Sequence, residues 1–258
     1  DKVMAFICTQ DLKDEDYINS HYVIMATKNG QVKKTSLEQY SRPRTNGINA
    51  ITIKDNDELL EAKLTTGNSQ VMLALKSGKA IRFEEAKTRP MGRGASGVRG
   101  ITLANDKDEV IGMVTIENSQ EESVLVVSEN GYGKRTYIDD PEDGEPVYRV
   151  TNRGGKGVKT ISITEKTGDL VAIKSVTDND DLMIINKSGI AIRMVVANLR
   201  VMGRATQGVK LINLKGKDSI AAVAKVMHDD DEVEDVESIE NTGDPEDGTT
   251  LDNNLEKQ

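Results

Sequence analysis

Four copies of one short pattern constrain this chain more than any other feature. TNGINAITI, ASGVRGITL, GKGVKTISI and TQGVKLINL fall into register on Gly47, Gly97, Gly157 and Gly208, at steps of 50, 60 and 51 residues. Such a period belongs to arrays of small supersecondary units, each unable to bury its apolar face alone. The expected architecture is therefore a propeller-like, all-β array of blades about 50 residues long, counted as one domain.

Each repeat has three parts. A strand opens it: VMAFICT from Val3, LLEAKLT from Leu59, VIGMVTI from Val110 and LVAIKSV from Leu170, with a fifth, closing copy, IAAVAKV, from Ile220. A hairpin follows, in VIMATKNGQVKKT, VMLALKSGKAIRF, VLVVSENGYGKRT and LMIINKSGIAIRM. Asn29-Gly30 and Asn130-Gly131 predict two-residue type I′ turns, with Ser77-Gly78 and Ser188-Gly189 in the same slot. The shared glycine pattern, read as a basic loop and a short strand, ends the unit. About four strands per repeat, β-branched residues in alternation and no long amphipathic helix complete the pattern. The expected blades are 3–58, 59–109, 110–169 and 170–228, within a domain 1–228. The third is lengthened by DDPEDGEPVY (139–148), which reads as an exposed excursion.

Charge separates the body from the tail. The net charge of −9 divides into −12 for residues 229–258, with 13 acidic residues and one Lys, and +3 for residues 1–228. The segment 229–258 has too few apolar residues to offset chain entropy and reads as a disordered acidic tail. The single Cys8 rules out a disulfide framework or a cysteine zinc site. His21 and His228 have no ligand company, so no metal site is expected. No catalytic constellation and no phosphate-binding loop of nucleotide type can be assembled, so no catalytic residue is expected. No apolar run reaches membrane length, and a cytoplasmic protein is expected.

The cations carry the functional signal. Hairpin cations are Lys28, Lys33, Lys34, Lys76, Lys79, Arg82, Lys134, Arg135, Lys187 and Arg193; edge lysines of this kind commonly block aggregation. The loops hold Arg42 and Arg44; Arg89, Arg93 and Arg99; Arg149, Arg153, Lys156 and Lys159; and Arg200, Arg204 and Lys210. In RVTNRGGKGVKTISI, Gly154, Gly155 and Gly157 free the main chain to approach a ligand, and the cations beside them suit phosphate contact. If blades are related by rotation, these sets form one basic rim. An aromatic content of only 3% argues against stacking on single-stranded bases.

YSRPRTNGINAITI, RPMGRGASGVRGITL, NGYGKRT, NRGGKGVKTISI and RVMGRATQGVKLINL, in that order, resemble consecutive blades of the C-terminal domain of the bacterial DNA gyrase A subunit. The resemblance covers residues 3 to about 226, and the acidic tail is also typical. It implies a β-pinwheel, usually of six blades, that binds and bends double-stranded DNA around its basic perimeter in support of ATP-driven negative supercoiling. It also implies that this chain is not an enzyme on its own and binds no cofactor, with ATP and Mg held elsewhere in the holoenzyme. The implied partners are DNA, the rest of the gyrase A subunit and the gyrase B subunit, in a cytoplasmic, nucleoid-associated complex without membrane contact. The family's signature box, of Gln-Arg-Arg-Gly-Gly-Lys-Gly type, sits in its first blade, whereas the related residues here, Asn152 to Gly157, lie in the third repeat. With four repeats and a closing strand, one or two N-terminal blades are expected beyond those seen. The alternatives are the C-terminal domain of the topoisomerase IV A subunit, which is similar with weaker boxes, and a protein-binding propeller, which would carry a mixed or uncharged rim.

Overall fold

The computed structural model describes residues 2–216 and 218–228, so the acidic tail expected at 229–258 lies outside the described residues. A six-residue helix, α1 (Glu15–Ser20), is capped by the Asp14 carboxylate, which accepts from the amides of Asp16 and Tyr17. The remaining regular structure is almost entirely β, in four small sheets. In chain order the strands are β1 (Tyr22–Thr27), β2 (Gln31–Ser36), β3 (Leu59–Thr65), β4 (Gln70–Leu75), β5 (Lys79–Glu84), β6 (Val98–Arg99), β7 (Val110–Ile116) and β8 (Ser123–Ser128). They continue with β9 (Tyr132–Tyr137), β10 (Val150–Thr151), β11 (Val158–Lys159), β12 (Leu170–Val176), β13 (Asp180–Asn186), β14 (Ala191–Val195), β15 (Val209–Lys210) and β16 (Ile220–Met227).

The sheets interleave the sequence repeats. The hairpin β1-β2 is joined on one side by β3 and on the other by β6, both from the following repeat. The same plan gives β7 and β11 on the hairpin β4-β5, and β12 and β15 on β8-β9. The fourth sheet, β14-β13-β16, has an inner strand but nothing on its outer side among the described residues. Thus the strand that opens each sequence repeat completes the blade before it. This explains a correction at the N-terminus: VMAFICT forms no strand, and neither does INAITI, because among the described residues no earlier hairpin offers them an edge. Val3 and Phe6 are correspondingly exposed.

Packing follows from this stacking. β3, β7, β12 and β16 line a central cavity of about 880 Å³, and β2, β5, β9 and β14 are the outer strands of their hairpins, with β6, β10, β11 and β15 laid beyond the first three. Apolar clusters fill the spaces between successive sheets: Ile24, Leu73 and Phe83 between the first and second, Met72 and Val126 between the second and third, and Leu125 and Ile184 between the third and fourth. Because both faces of a middle sheet are covered, β4 and β8 are buried along nearly their whole length rather than on alternate residues, which revises the expected alternation.

The turns are also revised. In all four hairpins the glycine alone has positive φ, and its amide bonds the carbonyl three residues back, as in Gly30 to Thr27 and Gly131 to Ser128. A type I′ turn needs positive φ at both central residues, so these are three-residue connections with glycine in the left-handed position. The insertion differs from expectation too. Its middle is exposed, but Tyr148 is buried, and Asp139 is gripped bidentately by Arg82, which also donates to the Tyr148 carbonyl at 2.9 Å.

Candidate nucleic-acid interface

The second, third and fourth basic loops are each built on the outer strand of the hairpin of the preceding repeat. Each enters parallel to that strand, at Lys34 with Pro90, Arg82 with Val150 and Arg135 with Val201, and returns antiparallel through β6, β11 and β15. The shared glycines make this return possible. A Cβ on Gly97, Gly157 or Gly208 would stand 2.5, 2.6 or 2.4 Å from the carbonyl oxygen of Val32, Ala80 or Gly133, and each glycine has positive φ. The glycine that sets the sequence register therefore seats the loop on the hairpin, whereas Gly155 is exposed and Gly154 lies half-buried.

Successive loops are also fastened to one another. Thr52 donates through its hydroxyl to Gly94 O at 2.8 Å, Thr102 to Gly154 O at 2.7 Å, and Ser162 to Ala205 O at 2.9 Å. Their amides reach the next residue of the same loop, Ala95, Gly155 and Thr206. All three donors lie five residues after a shared glycine, so one contact repeats from loop to loop. The result is a belt across the outer edges of the sheets.

The fifteen residues singled out in the sequence divide by exposure. Arg89, Arg149 and Arg200, each eight residues before a shared glycine, are exposed, as are Arg99, Lys159 and Lys210, two residues after it. These make two rows along the belt. Lys156 is exposed as well. Arg93, Arg153 and Arg204 form a third, half-buried row. Two of its members tie loops together: Arg153 donates to the carbonyls of Lys87 at 3.0 Å and Arg99 at 3.1 Å, and Arg204 donates to Lys159 O at 3.4 Å over the ring of Tyr148. Arg42 and Arg44 are exposed but fall outside these rows, because Gln39, Pro43 and Asn49 occupy the equivalent slots of the first loop.

The hairpin cations are corrected more sharply. Lys33, Lys34, Arg82, Lys134 and Arg135 are buried and are not available to an edge stripe. Lys34 pairs with Glu85 at 2.9 Å beneath the Tyr22 ring, and Arg135 pairs with Asp178. Arg193 bonds Asp181 at 2.6 Å. Lys33 and Lys134 instead donate to loop carbonyls, and burial, aided by Arg93 and Arg204 respectively, pushes each down to about 8. The sequence held a signal for this that exposure-based reasoning missed. The slot three residues after the turn glycine reads Lys33, Ile81, Lys134, Ile192, and a position that takes isoleucine in two repeats is an interior one.

Fold and site together define a propeller-like array with a cationic outer belt. The chain belongs to the family described as DNA gyrase C-terminal domain, beta-propeller, which matches residues 21–66, 71–117, 122–140, 147–177 and 180–227. The matched stretches run from a hairpin to the inner strand that follows it, the grouping the sheets display, and leave out the middle of the insertion. The DNA gyrase A subunit of Staphylococcus aureus strain MRSA252 is 43% identical over 248 residues, covering 96% of this chain and 26% of the relative. Its counterpart in strain COL is 42% identical over 249 residues, so the chain spans about a quarter of the curated relatives it matches. Among solved structures, a DNA gyrase A C-terminal domain aligns with TM-score 0.69 at 24% identity, over 81% of this chain and 67% of that one. The C-terminal domain of DNA topoisomerase IV aligns with TM-score 0.73 at 22% identity, over 81% and 62%. At these identities the structural likeness speaks for the fold.

Proposed function

We propose that this domain binds duplex DNA without sequence preference and bends it around the belt of basic loops, contributing DNA wrapping, not catalysis, to a gyrase-type topoisomerase. The observation that carries this reading is the pair of exposed rows, Arg89/Arg149/Arg200 and Arg99/Lys159/Lys210, at equivalent places on loops fastened end to end. Arginine and lysine on phosphates give affinity without reading bases. Bending a short duplex through a right angle costs on the order of several kcal/mol, which no single loop offsets but a fixed series can. In the intact assembly the bent segment is delivered to the cleavage core of the gyrase A subunit for supercoiling driven by ATP on the gyrase B subunit, in the cytoplasm on the nucleoid.

Counterion release supplies the test. Six cations in the two rows give a slope of log affinity against log salt of about −5, and adding Arg42, Arg44 and Lys156 brings it to about −8. Affinities for two duplexes of unrelated sequence should agree at every salt concentration and fall along such a slope. A slope near zero, or a strong preference for one sequence, contradicts the reading.

A further inference from the structure

We propose that Lys33 and Lys134 are positioning residues for the belt: each holds basic-loop main chain from beneath by presenting a buried ammonium to loop carbonyl oxygens, Lys33 between the first and second loops and Lys134 under the fourth. Neither touches DNA. The consequence for affinity rests on the DNA-binding reading above; the geometry does not.

Lys33 Nζ lies 2.5 Å from Ala50 O of the first loop and 2.6 Å from Arg93 O of the second. Lys134 Nζ donates to Gly203 O, to Arg204 O at 2.5 Å and to Thr206 Oγ1 at 3.2 Å, all in the fourth loop. Both side chains are fully buried, and among the described residues neither has a carboxylate partner. A buried cation solvated only by neutral oxygens carries a large desolvation cost. Packing alone does not require it, because Ile81 fills the equivalent slot under the third loop. There Gly155 stands where the other loops have Ala95 and Thr206, and a Cβ on it would lie 3.4 Å from Ile81 Cδ1. Two loops thus rest on a cation and one on a hydrocarbon. Drawing carbonyls inward fixes the main chain of the second and fourth loops, leaving Arg89 and Arg99, and Arg200 and Lys210, on the solvent side.

The charge is also titratable. Facing Lys33 are Arg93 and Tyr40, whose hydroxyl shares the Ala50 carbonyl at 3.2 Å; facing Lys134 are Arg204 and, below it, Tyr148. Burial pushes both tyrosines above 10, and arginine keeps its charge, so among these groups the lysines, at about 8, are the ones that titrate first. A lysine lowered on folding leaves the unfolded chain binding more protons between about 8 and 10.5, so its contribution to stability rises with pH there. Neutralised posts hold carbonyls less strongly. DNA affinity should therefore fall across a window in which these lysines do not weaken the fold.

The experiment compares the full chain with Lys33→Ile/Lys134→Ile, and with the same pair carrying Ala95→Gly and Thr206→Gly to reproduce the third loop's seat. Amide hydrogen exchange is followed in the free protein, and affinity for a duplex of about 40 base pairs is measured at pH 7 and 9.5 at fixed ionic strength. In the double variant, exchange at 91–97 and 202–208 should quicken about tenfold while 152–157 is unchanged; affinity at pH 7 should drop about tenfold and lose its fall toward pH 9.5. The glycine-bearing variant should recover protection without recovering the pH dependence. Unchanged exchange in both loops, or wild-type affinity with the wild-type pH profile, overturns the proposal. If the unaltered chain fails to bind duplex at low salt while exchange responds as expected, the posts stand and the DNA-binding reading falls.

Discussion

Replacing Gly157 and Gly47 by alanine, one at a time, separates two roles of the same repeated residue. Both have positive φ, +70° and +79°, so alanine at either site incurs the left-handed penalty of about 1–2 kcal/mol. At Gly47 nothing lies within 4 Å of the new Cβ, and the cost ends there. At Gly157 the Cβ would stand 2.6 Å from Ala80 O and 2.8 Å from Ala80 C. These are main-chain atoms that cannot rotate aside, which adds about 1–3 kcal/mol of overpacking. At about 2–4 °C per kcal/mol for a domain of this size, a difference of about 2 kcal/mol puts the melting temperature of Gly157→Ala about 4–8 °C below that of Gly47→Ala. Circular dichroism melts give the comparison. Hydrogen exchange at Thr160, whose amide bonds Gly78 O at 2.9 Å, reports whether the loop has lifted from its hairpin. Equal melting losses with equal protection at Thr160 would refute the idea that the repeated glycine seats the loop.

Two more outcomes follow from the side-chain geometry. Because Arg153 bridges to the carbonyls of Lys87 and Arg99 while Arg149 is exposed, Arg149→Ala should reduce the salt slope of DNA binding by about one, and Arg153→Ala should weaken binding with a smaller change in slope; identical slopes for the two variants would contradict the division of the rows. Asp181 is buried, which raises its pKa, but bonds from His228 and Arg193 outweigh this and hold it below 3.8. A depressed carboxylate stabilises the fold above its unfolded pKa and loses that contribution as pH falls through the folded value, so Asp181→Asn should lower the urea midpoint at pH 7 and flatten its decline below pH 4; an unchanged acid slope would count against it.

Much of this architecture was legible because it repeats. The glycine register, the hairpin spacing and the exposed cations at Arg89, Arg149 and Arg200 are local properties, and a fixed offset from a glycine reports the same place in every blade. What was not legible is nonlocal. That β3 completes the hairpin before it, and that VMAFICT finds no edge, depends on partners distant in sequence. Lys28 and Lys33 look alike in VIMATKNGQVKKT, yet Lys28 sits in the turn, where it pairs with Glu58 at 2.9 Å, while Lys33 lies on β2, buried under a loop whose carbonyls come from distant sequence. Only the comparison with Ile81 and Ile192 separates them. The insertion misled for a similar reason: its acidic middle is exposed as composition suggests, but Asp139 and Tyr148 at its ends are held by Arg82 from another repeat.

The central claim is that the belt curves DNA and does not merely attract it, and the linking number of a closed circle tests this directly. A nicked plasmid sealed by ligase in the presence of increasing protein should acquire a linking-number change of one sign that grows with protein and then saturates. The change should vanish when Arg89, Arg149 and Arg200 are all replaced by alanine. Tight binding that leaves the linking number unmoved, or an undiminished change in the triple variant, would contradict the account.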